Sequence, residues 1–152
     1  MVTTNKQRAG WAAIALTMVA GFEGLRQAAY LDPVGIPTIC FGETKGVHMG
    51  QRATLEQCKG MLAASLQLAN HAVDDCIRAP LPDYRRAALV SFAYNVGQTN
   101  LCGSTLARKL NAGDIAGGCD ELLRWTLAKG IKLPGLVKRR HAERNMCLVG
   151  AE

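Results

Sequence analysis

The chain has 152 residues, 49% of them apolar and 20% charged, which fits one domain or two closely packed lobes and excludes wholesale disorder. Aromatic residues are only 5%, so alanine and leucine must supply the core, a composition that leans toward helix. The uncharged, mostly apolar run Ala9 to Phe22 has 14 residues, short of the ~20 apolar residues that an ordinary transmembrane anchor needs. Net charge is +6: residues 1–76 hold six basic and six acidic groups, residues 77–152 twelve and six, so the excess sits in the second half. Such a one-sided field suits a polyanion (nucleic acid, an acidic membrane, a bacterial wall) or is simply a solvated basic surface.

After a polar start, Trp11, Ile14, Ala15, Met18 and Phe22 recur at helical spacing, with Leu16 and Val19 on other faces. The spacing predicts a helix buried on most sides, stopped near Gly24 just after Glu23. Asp32-Pro33-Val34-Gly35 has the preferred pattern of a type I turn. Ile36–Phe41 then reads as a short strand, with Pro37 marking an edge or an end. Alternation assigns Ile36, Thr38 and Cys40 to one face, and Pro37, Ile39 and Phe41 to the other.

Residues 42–53 read as loop. Thr54-Leu55-Glu56-Gln57 is a capping box opening a long helix, with Leu55, Cys58, Leu62, Leu66, Ala69, Val73 and Cys76 on one stripe. Pro80 and Pro82 end it. Asp83 is placed to cap the next helix, which runs to Gly97. Ser104 opens a short helix closed near Gly113, Asp114 opens another through Leu122 and Trp125 to Gly130, and Pro134 starts a last one to about Leu148. The layout is α+β and mostly helical: a helix, a small β element, then a bundle. The 54–78 helix, ~37 Å long at 1.5 Å per residue, can link two lobes.

Six cysteines, none in a C-x-x-C pair, argue against zinc and favour three disulfides over buried thiols, with 15 pairings open. His48, His71 and His141 have no ligand-like spacing, so no metal is expected.

Glu23, Asp32 and Thr38 are the candidate chemical group. Glu23 falls at the negative end of a helix beside an apolar face, and both features favour the proton-bearing form that a general acid needs. Asp32, in a polar turn, is expected to stay ionised, and Thr38 offers a neutral hydroxyl from the strand. Two carboxyl groups in unlike environments, with room for water, are the minimum equipment for breaking a glycosidic bond. Taken singly, each residue also has a purely structural explanation, as a helix end, a turn or a strand position.

Together they form Glu-x8-Asp-x5-Thr on helix, turn and strand, within Phe22-Glu23-Gly24, Tyr30-x-Asp32, Gly35-x-x-Thr38-Ile39 and Phe41-Gly42. Downstream come Arg86-Ala87-Ala88-Leu89, Phe92-x-Tyr94-Asn95-Val96-Gly97, Ser104-Thr105-Leu106, Leu110-Asn111-x-Gly113-Asp114, Arg124-Trp125 and Gly135-Leu136-x-x-Arg139-Arg140-x-x-Glu143. As a set, over roughly residues 14–148, these resemble the phage-type lysozymes, glycoside hydrolase family 24, used by bacteriophages as endolysins.

The resemblance implies one lysozyme-like domain over residues 1–152, with lobes at about 11–60 and 78–152. It implies hydrolysis of the β-1,4 bond between N-acetylmuramic acid and N-acetylglucosamine, with inversion. Glu23 would be the acid, Asp32 would steady positive charge or position water, and Thr38 would help hold that water. Thr44, Tyr94, Asn95 and more weakly Trp125 would contact substrate in a cleft between the lobes. The Arg139–Arg140 pair would place a guanidinium near Glu23, acting against the helix-end effect. On the same reading the cysteines pair as Cys40–Cys58, Cys76–Cys102 and Cys119–Cys147. One departure stands out: where the family often has Gly-His-Thr, this chain has Gly42-Glu43-Thr44, and two readings of Glu43 stand open, a solvated loop residue, which is preferred, or a second acid near the cleft that alters the pH profile.

The resemblance further implies a monomer acting on peptidoglycan, without cofactor or nucleic acid, made in the host cytoplasm and working in the periplasm. Lys6 and Arg8 before the apolar run resemble a signal or signal-anchor-release segment, so residues 9–22 could touch the membrane transiently. Loss of residues 1–20 would leave Glu23 nearly at a free end, which favours a retained helix, with export by an uncleaved segment and passage through holin lesions both open. No cysteine precedes residue 40 to act as a thiol switch. Two other functions fit the residues alone: a basic nucleic-acid-binding protein using Arg139, Arg140 and Arg144, and a non-catalytic wall-binding or membrane-disrupting protein.

Overall fold

The structure, a computed structural model, describes residues 10–150. Lys6 and Arg8, the charged part of the expected signal-like segment, lie outside them. Helix α1 spans Trp11–Glu23 and ends where Gly24 adopts φ +72°. Only Ala15 and Val19 are buried, while Ala12, Ala13, Thr17 and Gly21 are exposed. The expectation of burial on most sides is therefore corrected: small residues make the helix apolar all round without requiring that every face be covered. Among the described residues no helix is long and apolar enough to cross a membrane.

Strand β1, Arg26–Leu31, was not anticipated, because its sequence does not alternate. It pairs antiparallel with β2, Pro37–Cys40, with Tyr30 opposite Thr38 and Leu31 opposite Pro37. The predicted turn joins them, with the Gly35 amide donating to the Asp32 carbonyl at 2.9 Å. β2 is shorter than expected, and Pro37 is its first residue, where a missing N–H is harmless. Thr38, Ile39 and Cys40 are all buried and Ile36 is exposed, so the expected two-faced alternation gives way to a strand covered on both sides. Residues 51–53 cover the other edge of β1 through Ala29 N–H to Gln51 O and Ala53 N–H to Gln27 O, both 2.9 Å.

Helix α2, Leu55–Cys76, opens on the predicted capping box: the Gln57 amide donates to Thr54 Oγ1 at 3.1 Å, and the Thr54 amide to Gln57 Oε1 at 2.8 Å. Its stripe is buried from Cys58 to Val73 but fades at both ends, where Leu55 is exposed and Cys76 half-buried. Helix α3, Asp83–Val96, is capped at Pro82, not by the Asp83 side chain; Asp83 instead meets the positive first turn. Residues 87–93 of α3 are all buried, and it packs against α1, α2 and the last helix.

Short helices α4 (Gln98–Cys102), α5 (Thr105–Asn111) and α6 (Ile115–Asp120) follow, with Ser104 and Asp114 capping the last two as predicted. The helix expected to reach Gly130 stops ten residues earlier. Gly117 and Gly118 weaken it, and the chain continues as a 3₁₀ turn over Glu121–Arg124. A small hairpin of β3 (Leu127–Ala128) and β4 (Ile131–Lys132) turns at Lys129–Gly130, both at positive φ. Helix α7, Pro134–Cys147, begins on Pro134. Gly118 has a packing reason, since a Cβ there would come within 2.6 Å of Leu110 Cδ2.

Three disulfides join Cys40–Cys58, Cys76–Cys102 and Cys119–Cys147, the pairing implied by the resemblance. They close loops of 18, 26 and 28 residues. In the chain-entropy picture each constrains the unfolded chain by roughly 3–4 kcal/mol.

Candidate active site

Glu23 is the last residue of α1, and its side chain is 24% exposed, neither dry nor fully solvated. Arg139, on α7, donates from Nη1 to Glu23 Oε1 at 2.6 Å, and its guanidinium lies 5.0 Å from the centre of the Phe22 ring. Oε2 faces the turn after β2. Ile39 and Glu43 exchange two backbone hydrogen bonds of 2.9 Å across that turn, which brings Gly42, at φ +93°, against the carboxyl. A Cβ on Gly42 would sit 3.2 Å from Glu23 Oε2. Gly42→Ala therefore combines a strained backbone with pressure on the carboxyl. It is expected to cost about 1–2 kcal/mol of stability and roughly tenfold or more in turnover. Thermal unfolding and sugar-release assays on the same preparation check this.

Arg139 is itself held from three sides. It donates to Glu143 Oε2 at 3.3 Å, to the Ser91 carbonyl at 3.0 Å and to Ser91 Oγ at 3.3 Å. Ser91 Oγ donates to Glu143 Oε2 at 2.6 Å. Arg140 makes an ion pair with Glu143 Oε1 at 3.0 Å, donates to Asn95 Oδ1, and lies over the Phe92 ring. The expected guanidinium beside Glu23 is thus Arg139, and Arg140 faces the next layer inward. Arg140 and Glu143 are fully buried. Burial pulls Arg140 down to about 10, against the pull of Glu143, and burial raises the proton affinity of Glu143, against Arg140, Arg139 and Ser91. The Glu143 carboxyl thus lies between the two guanidiniums, and Glu23 lies on the outer side of Arg139. Ser91 and Glu143 had no role in the sequence reading, although Arg139-Arg140-x-x-Glu143 spacing puts the three on adjoining turns of one helix.

Asp32 and Thr38 are tied together through Ile36. Asp32 Oδ1 accepts the amides of Val34 at 2.9 Å and Ile36 at 2.8 Å. The Ile36 carbonyl accepts both the Asp32 amide at 3.0 Å and the Thr38 hydroxyl at 2.9 Å. Asp32 Oδ2 receives no hydrogen bond from the described residues. One oxygen thus anchors the turn, and the other stays available to a water or a developing positive charge.

Of the remaining candidates, Thr44 and Asn95 are exposed and Tyr94 is half-buried. The Tyr94 hydroxyl donates to the Phe41 carbonyl at 3.2 Å, joining α3 to the β turn. Burial, with Glu43 and Glu23 nearby, pushes the Tyr94 phenol up. Trp125 packs edge-on against Phe92, with ring centres 5.4 Å apart. Glu43 corrects the expectation of a solvated loop residue. It is half-buried, and both its oxygens are 3.0 Å from the Ser65 hydroxyl of α2. Among the described residues no His/Cys/Asp/Glu cluster has the makings of a metal site. The arginines suggested for nucleic acid are also accounted for: Arg139 and Arg140 are buried, and Arg144 pairs with Asp120 at 2.9 Å.

The family profile for phage lysozyme matches residues 20–143. The chain is 44% identical over 133 residues to a protein named SAR-endolysin from Bacteriophage PS119, covering 87% of this chain and 80% of that one. Among solved structures it is similar to the muramidase domain of SpmX from Asticaccaulis excentricus, with TM-score 0.85 and 30% identity over 93% of this chain and 99% of that one. The active form of the P1 phage endolysin Lyz superposes with TM-score 0.85 at 26% identity, covering 91% and 85%. A carboxyl at the end of the first helix, an Asp–Thr hairpin that follows it in the chain and a profile match reaching from Ala20 to Glu143 agree with one another: the chain belongs to the phage lysozyme family.

Proposed function

We propose that this chain is an endolysin: a muramidase that hydrolyses the β-1,4 bond between N-acetylmuramic acid and N-acetylglucosamine in peptidoglycan, for host cell lysis. The observation that carries the reading is the Glu23 carboxyl, part-exposed at the end of α1 and held on one oxygen by Arg139, with the strand carrying Thr38 leading into the turn packed on its other oxygen. Glu23 donates a proton to the glycosidic oxygen as the bond breaks. Asp32 faces the positive charge that develops on the sugar and, with Thr38, holds the attacking water. Thr44, Tyr94 and Asn95 contact the glycan from the two sides, with Trp125 a weaker candidate.

The reaction inverts the anomeric carbon. Inversion needs a water between two carboxyl groups roughly 6.5–9.5 Å apart, whereas a directly attacking carboxylate would stand ~5–5.5 Å from the acid. Asp32 is fastened to its own turn by two amides, which suits a group that holds water in place over one that must move to bond with sugar. The enzyme acts as a monomer in the periplasm, with the α1 region touching the membrane in transit; the naming of the relatives as SAR-endolysins supports that route.

The test is product analysis on purified peptidoglycan. New reducing ends, muropeptides that have gained one water, and a first-formed anomer of inverted configuration are expected. Anhydro products would instead mean transglycosylation, and a retained anomer would overturn the role given to Asp32.

A further inference from the structure

The ribbon of β3 and β4 carries side chains that its own folding does not require. Leu127, Ile131 and Leu133 are 60%, 64% and 40% exposed. Pairing sets Leu127 opposite Lys132 and Ala128 opposite Ile131, so Leu127 and Ile131 stand on opposite faces of the ribbon, and both faces are open. The Lys129–Gly130 turn forms its end, and the Leu133 amide closes its base by donating to the Thr126 carbonyl at 3.1 Å. With two residues to a strand the ribbon builds no core of its own, and polar side chains would serve such a turn equally well. Single exposed apolar residues are ordinary, whereas three on one short ribbon mark a surface for a partner.

The charges around the ribbon say which partner. Between Glu121 and Glu143 the chain has no acidic residue and six lysines and arginines. Of these, Arg139 and Arg140 are buried and Arg124 pairs with Glu121. Lys129, Lys132 and Lys138 are exposed and pair with no acid among the described residues. Beside the ribbon, Lys132 and Lys138 border an open, largely apolar hollow of about 430 Å³, floored by Pro134 and Val137. Aliphatic tips ringed by unpaired ammonium groups match an interface whose polar layer is anionic and whose interior is hydrocarbon. A glycan matches less well: leucine and isoleucine offer its hydroxyls no hydrogen bond, and covering those hydroxyls without one is costly. Nucleic acid would engage the charges and leave the aliphatic side chains in water.

We propose that the β3–β4 ribbon docks on an anionic phospholipid bilayer: Leu127 and Ile131 enter the acyl boundary, while Lys129, Lys132 and Lys138 meet the lipid phosphates. This surface is separate from the α1 region and does not depend on the muramidase chemistry. Because α7 begins at Pro134, directly after the ribbon, the docked element is continuous with the helix that carries Arg139.

The experiment is co-sedimentation of the full chain with vesicles of mixed phosphatidylglycerol and phosphatidylcholine, and with vesicles of phosphatidylcholine alone. Two double variants, Leu127→Ser with Ile131→Ser and Lys132→Gln with Lys138→Gln, change the ribbon and leave α1 intact. The parent should bind the anionic vesicles, and should bind them more weakly in high salt. Each lysine near such a surface is worth roughly fivefold in affinity, so the lysine variant should lose at least about tenfold. The apolar variant should lose about tenfold or more. Circular dichroism and reducing-end release from isolated peptidoglycan should match the parent in both. Parent-like vesicle binding by both variants would overturn the proposal, as would equal binding of the parent to neutral and anionic vesicles. A loss confined to the lysine variant would mean electrostatic adsorption without insertion and would overturn it too. A parent that ignores vesicles, with a lysine variant that loses binding to isolated peptidoglycan, would assign the surface to the wall polymer instead.

Discussion

Glu23→Gln should abolish sugar release from peptidoglycan while leaving the fold in place. Glutamine has the same shape, and its amide oxygen can still accept the Arg139 Nη1 hydrogen bond now made at 2.6 Å. It has no proton to give. Without an acid the leaving oxygen must depart as an alkoxide, and loss of general acid catalysis costs about 10²–10⁴ in rate. The Glu23 side chain is 24% exposed, and Arg139 keeps Glu143 as its buried partner in the variant. The unfolding midpoint should change little. The measurement is reducing-end release against parent protein, with circular dichroism to confirm the fold. Persistent lysis at the full rate would turn attention to a membrane-disrupting action through the apolar first helix, and salt-sensitive DNA binding without sugar release would favour the nucleic-acid alternative.

Glu143→Ala is expected to have the largest effect on stability. The Glu143 carboxylate sits between two guanidiniums, at 3.3 Å from Arg139 and 3.0 Å from Arg140, and accepts the Ser91 hydroxyl at 2.6 Å. All three charged side chains are at most 5% exposed. Removing the anion leaves two like charges buried side by side, with only the part-exposed Glu23 to answer them. Breaking a buried pair in this way costs about 3–5 kcal/mol. For a domain of this size that corresponds to a fall of roughly 6–20 °C in melting temperature. Activity should fall as well, since Arg139 would lose one of the contacts that aim it at Glu23. Thermal and urea unfolding measure the first effect. A midpoint within a degree or two of the parent would show that the ion pair does not hold this layer together.

These expectations rest on features of unequal visibility in the sequence. Signals that a few consecutive residues complete among themselves were readable: the Thr54–Gln57 box, the Ser104 and Asp114 caps, the Asp32–Gly35 turn and Pro134 at a helix start all lie where the sequence puts them. Features completed by a distant partner were not. β1 is a strand because β2 pairs with one edge and residues 51–53 with the other, and no alternation in Arg26–Leu31 announces it. The half-burial of Glu43 depends on Ser65, 22 positions away, and on Tyr94 of a third element. The candidate site divides in the same way. Glu23, Asp32 and Thr38 were recognisable from spacing and resemblance, but which of two adjacent arginines reaches Glu23 depends on the rotation of α7 about its own axis. That rotation is set by packing against α3, with Arg140 directed at Phe92 and Asn95.

The three disulfides have a mechanical meaning. One fastens β2 near the beginning of α2, another fastens the end of α2 to α4, and the third closes α6 onto the end of α7. No cross-link spans from the hairpin region directly to the bundle, and the middle of the linking rod carries no staple. The middle of α2 is held instead by packing, with Leu62, Leu66 and Ala69 buried. Around the carboxyl at the end of α1 the ties are non-covalent: Arg139 of α7 grips Glu23, and Tyr94 of α3 grips the Phe41 carbonyl, so reduction of the disulfides would leave both contacts chemically intact.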